Sequence, residues 1–566
     1  MLPWSARLGE SGFNDQMQVT ERPHEAPRWA QWAVVLASVM LVWHSLGNHS
    51  LFPPDEGRYA AVSGWMAEHG NWLQPVLRDH LHVTKPPLTY WAQALSIRYF
   101  GHEDISPRLP SAIASTLTLL TLFVFARRTA GALVAMLAVG LLAVMPLFQI
   151  IGRLAITDPM LTTWWWMALC SAWLAMGAGR RHLGWIAAFW TSSALVGLTK
   201  GPLVLAPITI VAVWLALAGR LRDLRLLMPL VGLPLAIAPL GFVAYGYWVT
   251  DPVRALEVWN FEFVDRFTGV SLHDPWWLLF LVFFAGFFPA TTMLTLPWFN
   301  MTFARAWACL RAGDQRALLL VAVILPLFGF SILSRKSPTY ILPLAPPLAM
   351  LVAGMLARWV DGSMADAPAG IKPPDVRHTT AIAMTGVGLV LPGAALVLIL
   401  NGSAPAWATG WTLLWLTIPV IPAMIATWIM LAWWPMRERR LSALGVYFAS
   451  MVFVWIGFHH AEDVAMNVMG ARPVAQAVAA ETRPIIVYRL RNLTIDWYLG
   501  RWLDAVDRSE DLQAWIEAHP DGVVLASDGD LAKLRSQSPE LGRRLEDRQA
   551  FDAWPLKKIV FCDVVR

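Results

Sequence analysis

The sequence predicts an α-helical protein that crosses a membrane many times and carries a small α/β domain at its C-terminus. Three observations predict it. Hydrophobic residues make up 57% of the 566 residues and charged residues only 15%, far from the balance of a soluble domain. Apolar runs of roughly 18 residues or more, enough for a helix to cross about 30 Å of hydrocarbon, recur along the chain. They stop near Ala461, beyond which short apolar runs alternate with amphipathic segments.

About thirteen such runs are legible, at 31–47, 108–126, 131–150, 159–177, 183–199, 202–219, 226–248, 276–297, 317–334, 339–357, 379–400, 410–433 and 441–458. Arginine placement orients them, because short cytoplasmic loops retain an excess of Lys and Arg. With the N-terminus inside, the inner loops carry Arg127 and Arg128, Arg180 and Arg181, Arg220, Arg222 and Arg225, Arg305, Arg311 and Arg316, Arg358, Lys372 and Arg377, and Arg437, Arg439 and Arg440. An odd number of spans sends the C-terminal hundred or so residues to the outer face. The organisation expected is an inner tail over 1–30, a transmembrane domain over 31–460 that includes an outer loop at 48–107, and an outer α/β domain over 461–566.

The net charge of +5 is consumed by the inner-loop bias and gives no support for nucleic acid as a partner. Cys170, Cys309 and Cys562 are too scattered for a disulfide framework, and no Cys/His spacing reads as zinc. Residues 1–29 are polar and the first apolar run is long enough to remain as an anchor, so no cleavable signal peptide is expected. The stretch 361–378 reads as a flexible linker.

The outer loop is the richest segment. Tyr59, Val62, Trp65 and Met66 recur at helical spacing, with Trp72, Trp91 and Tyr99 as interfacial aromatics, as for short amphipathic helices at a membrane surface. In the C-terminal region, 485–488, 523–526 and 559–561 read as short buried strands, and 509–518 and 528–535 as helices.

Several residues are candidates for chemistry. Asp55 and Glu56 stand at the outer end of the first span, where an acid beside lipid is expensive; each suits a general base or an anchor for a sugar hydroxyl or amine, the alternative being a solvated turn after Pro53 and Pro54. Asp158, before Pro159, reads as a helix cap or as a second site carboxylate. Lys85, Lys200, Arg266 and Lys336 come from four outer loops. Together they suit a phosphate or pyrophosphate; singly, each could snorkel to headgroups. His273 is a weak candidate for a metal ligand or proton carrier, and Trp164 to Trp166 read as interface packing.

The elements PPDEGRYA, GNWLQP, KPPLTYW, ITDP, LTKGP and KSPTYILPLAPPLAML occur in this order. They resemble the bacterial aminoarabinose lipid A transferase family, within the polyprenyl-phosphate-sugar glycosyltransferases of GT-C architecture related to protein O-mannosyltransferases. The resemblance runs from about residue 30 to the end. It implies a polytopic inner-membrane enzyme with its active site and C-terminal domain in the periplasm. Such an enzyme inverts configuration as it moves a sugar, 4-amino-4-deoxy-L-arabinose in this family, from undecaprenyl phosphate to lipid A or another envelope acceptor. Residue by residue, it implies Asp55 and Asp158 as catalytic carboxylates and Lys85, Arg266 and Tyr340 as donor-phosphate ligands, assisted by Arg58, with Glu56, Lys200 and Lys336 as secondary candidates. Thr84 departs from the pattern, which commonly has Glu before Lys-Pro-Pro, and the loop before Arg266 lacks the family's usual histidine. No metal site is therefore carried over, and a divalent cation stays open. The competing class is a transporter or flippase, which would show paired repeats or ionisable residues near mid-span.

Overall fold

A computed structural model describes residues 27–78, 80–82, 84–177, 182–260, 274–291, 303–360, 440–490, 493–553 and 557–565. The expected spans at 379–400 and 410–433, the linker at 361–378, Arg266 and His273 lie outside the described residues.

Among the described residues, six helical runs are long and apolar enough to cross a membrane: Leu109–Ala130, Leu183–Leu217, Pro229–Thr250, Gln315–Ile332, Pro338–Arg358 and Arg440–Ala480. The element order begins with α1 (Arg28–Trp43), α2 (Asp55–His69), a two-stranded hairpin of β1 (Val76–Leu77) and β2 (His80–Leu81), α3 (Leu88–Phe100) and α4 (Leu109–Ala130). The run expected at 131–150 is two pieces, α5 (Ala132–Val144) and α6 (Pro146–Ile151). The break falls at Met145, which has φ −66° and ψ 126°, because a residue before proline is pushed out of the helical region. The next helices are α7 (Asp158–Gly177), α8 (Leu183–Lys200), α9 (Ala206–Leu217), α10 (Pro229–Thr250) and α11 (Pro252–Trp259). Between α8 and α9 a 3-10 turn spans Gly201–Leu205, and Gly201 takes φ 56° and ψ −118°. A Cβ would be strained there, and the turn leaves Lys200 at the end of its helix. Then follow α12 (Leu278–Gly286), α13 (Phe303–Ala312), α14 (Gln315–Ile332), a 3-10 turn over Pro338–Leu344, α15 (Ala345–Val360) and α16 (Arg440–Met469).

Among the described residues, the long helices pack mainly in two apolar cores. One draws on α1, α4, α5, α15 and α16, the other on α7 to α10 with α14. The outer surfaces of the bundle are also apolar. α10 leaves Leu230 92% exposed and presents Leu235, Phe242 and Trp248 outward, which suits hydrocarbon and not water. Trp165 and Trp166 differ from the interface expectation, being fully buried in these cores, while Trp164 is half-buried.

The C-terminal region adds α17 (Ala471–Ala480), β3 (Ile485–Tyr488), α18 (Leu493–Leu499), β4 (Ala505–Val506), α19 (Ser509–Ala518), β5 (Val523–Ser527), α20 (Asp528–Gln537), α21 (Pro539–Arg543), β6 (Leu545–Ala553) and β7 (Lys557–Val564). The strand order is β4-β3-β5-β7-β6, parallel across β4, β3 and β5 and antiparallel from β5 to β7 to β6. Side chains alternate across a sheet. Ile486, Val524 and Cys562 accordingly enter one core, and Val487, Leu525 and Phe561 the other. With both faces covered, these strands read as continuous apolar runs.

α2 is not a helix with one buried stripe. Gly57, Tyr59, Ala60, Ala61, Val62, Ser63, Gly64 and Met66 are all buried, because α3 and α18 enclose it. Its small residues permit the approach: a Cβ at Gly57 would lie 2.1 Å from Thr494 Oγ1, and one at Gly64 3.1 Å from the Trp497 ring. His102 stacks on Trp497 with centroids 3.4 Å apart, Tyr498 donates its hydroxyl to Asp104 at 2.6 Å, and Arg78 pairs with Asp496 at 2.9 Å. The α/β unit therefore clamps the helix that begins with Asp55. Gly57→Ala is expected to lower stability by roughly 1–3 kcal/mol through overpacking, whereas Gly241→Ala, with nothing within 4 Å of its Cβ position, is tolerated. Thermal unfolding midpoints in detergent check this; equal midpoints would contradict the clamp.

Candidate active site

The site grows from one buried ion pair. Glu56, in the first turn of α2, is 1% exposed and Arg108, just before α4, is also 1% exposed. Arg108 donates Nε to Glu56 Oε1 at 2.9 Å and Nη2 to Oε2 at 2.7 Å, the bidentate fork that fits a carboxylate. Its remaining N–H groups reach the carbonyls of Leu46, His49 and Ser50 at 3.0 to 3.1 Å. Glu56 further accepts from the Phe52 and Ala155 amides at 2.8 and 2.7 Å. Burial alone would raise its carboxyl, but the Arg108 guanidinium and these hydrogen bonds hold it below the ordinary carboxylate range. Glu56 is thus committed to holding the loop together. The sequence reading did not single out Arg108, although an arginine at the outer end of a span, where cations are sparse, is a signal in itself.

Asp55, one residue earlier, has the opposite environment. Its side chain is 62% exposed and pairs with Arg58 at 2.5 Å across one helical turn. The Arg58 guanidinium also lies 5.5 Å from the centre of the Tyr59 ring, which stacks on Tyr90 with centroids 5.4 Å apart. Asp158 is another electrostatic neighbour of Tyr59. It begins α7, 4% exposed, and receives Lys200 Nζ at 2.7 Å. The Lys200 ammonium in turn sits 4.7 Å from the centre of the Tyr340 ring. Asp55 with Arg58, and Asp158 with Lys200 and Tyr340, therefore flank Tyr59.

A cavity of about 950 Å3 opens beside this cluster. Lys85, Lys200, Thr84 and Tyr340 contribute polar groups to its wall, while Leu203 of the 3-10 turn and residues of α9, α10 and α14, such as Ile210, Leu240, Val243 and Phe330, make the rest apolar. Lys85 donates to the Thr84 carbonyl at 3.1 Å, and the Thr84 hydroxyl shares a 2.8 Å hydrogen bond with His82 Nε2. His82 is buried, and burial, with Arg58, Lys85 and Arg254 nearby, lowers its pKa to about 3. Three cations from separate elements are thus electrostatic neighbours of one buried imidazole. Lys336 is placed differently: its ammonium donates to the carbonyls of Asp274 and Leu333 at 2.9 and 2.6 Å and its amide to Asp274 Oδ2 at 2.8 Å. It ties a loop and does not line the cavity. Among the described residues, no group of three or more His, Cys, Asp or Glu side chains is gathered as for a metal ion.

Two outcomes follow. Glu56→Gln leaves Arg108 buried without its counter-charge and should cost about 3–5 kcal/mol; a thermal midpoint in detergent close to that of the parent protein would contradict the role given to the pair. The unfolded chain binds a proton on His82 near pH 6.5, while the folded chain does so only near 3. Its contribution to stability is therefore complete above about pH 6.5 and lost as pH falls toward 3. His82→Gln should flatten the fall in thermal midpoint between pH 7 and 5, and an unchanged slope would count against it.

Known proteins were compared with this geometry. Residues 84–248 match the family described as dolichyl-phosphate-mannose-protein mannosyltransferase. The undecaprenyl phosphate-alpha-4-amino-4-deoxy-L-arabinose arabinosyl transferase 2 of Pseudomonas fluorescens (strain Pf0-1) is 32% identical over 58% of this chain and 60% of its own length. The corresponding transferase of Pseudomonas aeruginosa (strain UCBPP-PA14) is 29% identical over 65% of this chain and 64% of its own. The matches thus span under two thirds of these relatives. The crystal structure of ArnT from Cupriavidus metallidurans bound to undecaprenyl phosphate superposes with a TM-score of 0.72 at 20% identity, covering 94% of this chain and 98% of that one. The chain therefore has the polytopic membrane fold of ArnT and resembles, in sequence, the undecaprenyl phosphate-aminoarabinose arabinosyl transferases.

Proposed function

We propose that this chain is a multi-pass glycosyltransferase of the inner membrane. In this reading it takes 4-amino-4-deoxy-L-arabinose from undecaprenyl phosphate and transfers it, with inversion, to a lipid A phosphate at the periplasmic face. The observation that carries the proposal is the asymmetry of the cavity: a long apolar wall ending at Lys85, Lys200 and Tyr340 beside Asp158. A polyprenyl phosphate has the same asymmetry, an apolar tail and one anionic head. The names of the sequence relatives and the fold shared with ArnT support the same substrate class. About thirteen spans and a periplasmic α/β domain over 461–566 belong to this proposal.

The chemistry asked of the site is modest. The acceptor oxygen attacks the anomeric carbon as the bond from that carbon to the donor phosphate oxygen breaks, and the polyprenyl phosphate leaves with the electron pair. Lys85, Lys200 and Tyr340 hold that phosphate more tightly as its charge grows, which lowers the barrier; Arg266, outside the described residues, is proposed as a further ligand. Asp158 keeps Lys200 in place through their 2.7 Å ion pair. Asp55, exposed and held by Arg58, orients the sugar through a hydroxyl or its amine when the acceptor is a phosphate, since a phosphate oxygen is already a nucleophile. With a hydroxyl acceptor it takes the proton.

Thr84 favours a second reading within the same chemistry. Its hydroxyl is engaged by His82 at the position where the resembling family commonly has Glu, as expected of a related transferase with a different sugar or a protein or glycan hydroxyl acceptor. Mass spectrometry of lipid A from cells with and without the protein separates the two. An added aminopentose is expected, and its absence in an expressing strain supplied with the donor contradicts the first reading. Asp55→Asn should reduce transfer at least 100-fold in a folded protein. Lys85→Met should raise the donor KM about tenfold or more through loss of a charge-assisted hydrogen bond. Normal turnover by the first variant, or unchanged donor affinity in the second, would sink these roles.

A further inference from the structure

Most polar groups of the cavity wall are already engaged with other groups of the protein. Thr209 returns its hydroxyl to the Leu205 carbonyl, Thr84 binds His82, and Lys200 binds Asp158. Among the described cavity residues, two buried polar atoms have no hydrogen-bond partner: the Tyr247 hydroxyl and the Trp165 indole nitrogen. Trp165 sits two turns into α7 and belongs to the apolar core. Tyr247 is placed differently. It lies in the last turn of α10, which is tied to the outer loop by Gln74 Nε2 donating to Thr250 Oγ1 at 2.9 Å. Its electrostatic neighbour is Tyr90, which stacks on Tyr59 and meets His82 edge-on, with centroids 6.2 Å apart. Tyr59 and His82 are in turn the neighbours of Asp158, Arg58 and Lys85. The hydroxyl therefore lies at the polar end of the cavity, on the wall formed by α10.

A buried hydroxyl without a partner costs free energy in the folded protein. The cost is offset if a ligand completes the hydrogen bond, and a phenol that is 8% exposed has little water to compete for it. We infer that Tyr247 is a further ligand-binding residue, donating its hydroxyl to a phosphate oxygen of the polyprenyl phosphate at the junction of head and tail. The aromatic ring then packs along the first isoprene unit while its oxygen reads the anion. Tyr247 thus distinguishes a phosphorylated lipid from an uncharged polyprenol. This assignment rests on the donor class proposed above.

The test is equilibrium binding of undecaprenyl phosphate and of undecaprenol to the full-length protein in nanodiscs, for the parent and for Tyr247→Phe, which keeps the ring and removes one oxygen. The expected result is about a tenfold loss of affinity for undecaprenyl phosphate, the size of one hydrogen bond to a charged group. Affinity for undecaprenol should change less than about twofold. Equal binding of undecaprenyl phosphate by parent and variant overturns the assignment while leaving the donor class intact, and so does an equal loss for both lipids, which marks a packing role. Failure of the parent protein to bind undecaprenyl phosphate overturns the donor class and this assignment with it.

Discussion

The arrangement depends on the buried pair of Glu56 and Arg108. Removing two charges from water costs several kcal/mol per ion unless each is fully hydrogen-bonded, and here both are. Arg108 gives its N–H groups to Glu56 and three backbone carbonyls, and Glu56 takes two further amides. The partners decide the geometry. Phe52 and Glu56 bracket the turn that presents Asp55, while Ala155 lies in the turn that delivers Asp158 to the start of α7. One salt bridge therefore fixes the origins of both candidate carboxylates relative to α4. The α/β unit closes the same helix from the other side through Thr494 and Trp497.

From that frame the division of labour follows. Two adjacent acids receive opposite roles because α2 turns one inward to Arg108 and leaves the other at the surface with Arg58. Lys200 reaches the cavity because Gly201 ends its helix there, and Asp158 positions its ammonium at 2.7 Å. The Lys200 ammonium stands 4.7 Å from the Tyr340 ring centre in an otherwise apolar wall, where its interaction with an anion is weakly screened. The apolar surface beneath needs no polar satisfaction of its own, which suits a lipid tail.

How much of this was legible in the sequence varies with the range of the interaction. Local patterns were readable. The buried strands at 485–488, 523–526 and 559–561 carry apolar runs that only a two-sided sheet produces, and the C-terminal helix at 509–518 has its own amphipathic period. β6, spelled Leu-Glu-Asp-Arg-Gln-Ala-Phe-Asp-Ala, was not readable, since it owes its form to pairing with β7. Residue type also outran placement. Lys85, Lys200 and Tyr340 could be named as candidates, but Lys336, of the same type and predicted face, spends its ammonium on backbone carbonyls. Glu56 and Arg108 are 52 residues apart, and no local period reports such a contact. The same holds for α2: its small residues look like a weak amphipathic face until Thr494 and Trp497 arrive from the far end of the chain.

The proposed function rests on a polyprenyl phosphate bound with its tail along α9 and α10 and its head at Lys85, Lys200 and Tyr340. Photo-crosslinking with an undecaprenyl phosphate carrying a diazirine in its first isoprene units, followed by peptide mapping, tests it directly. Labelling of wall residues such as Leu203, Leu240 and Val243, suppressed by excess unlabelled undecaprenyl phosphate, is expected. Labelling confined to the lipid-facing side of α10, at Leu235 or Phe242, and indifferent to that competitor, would contradict it.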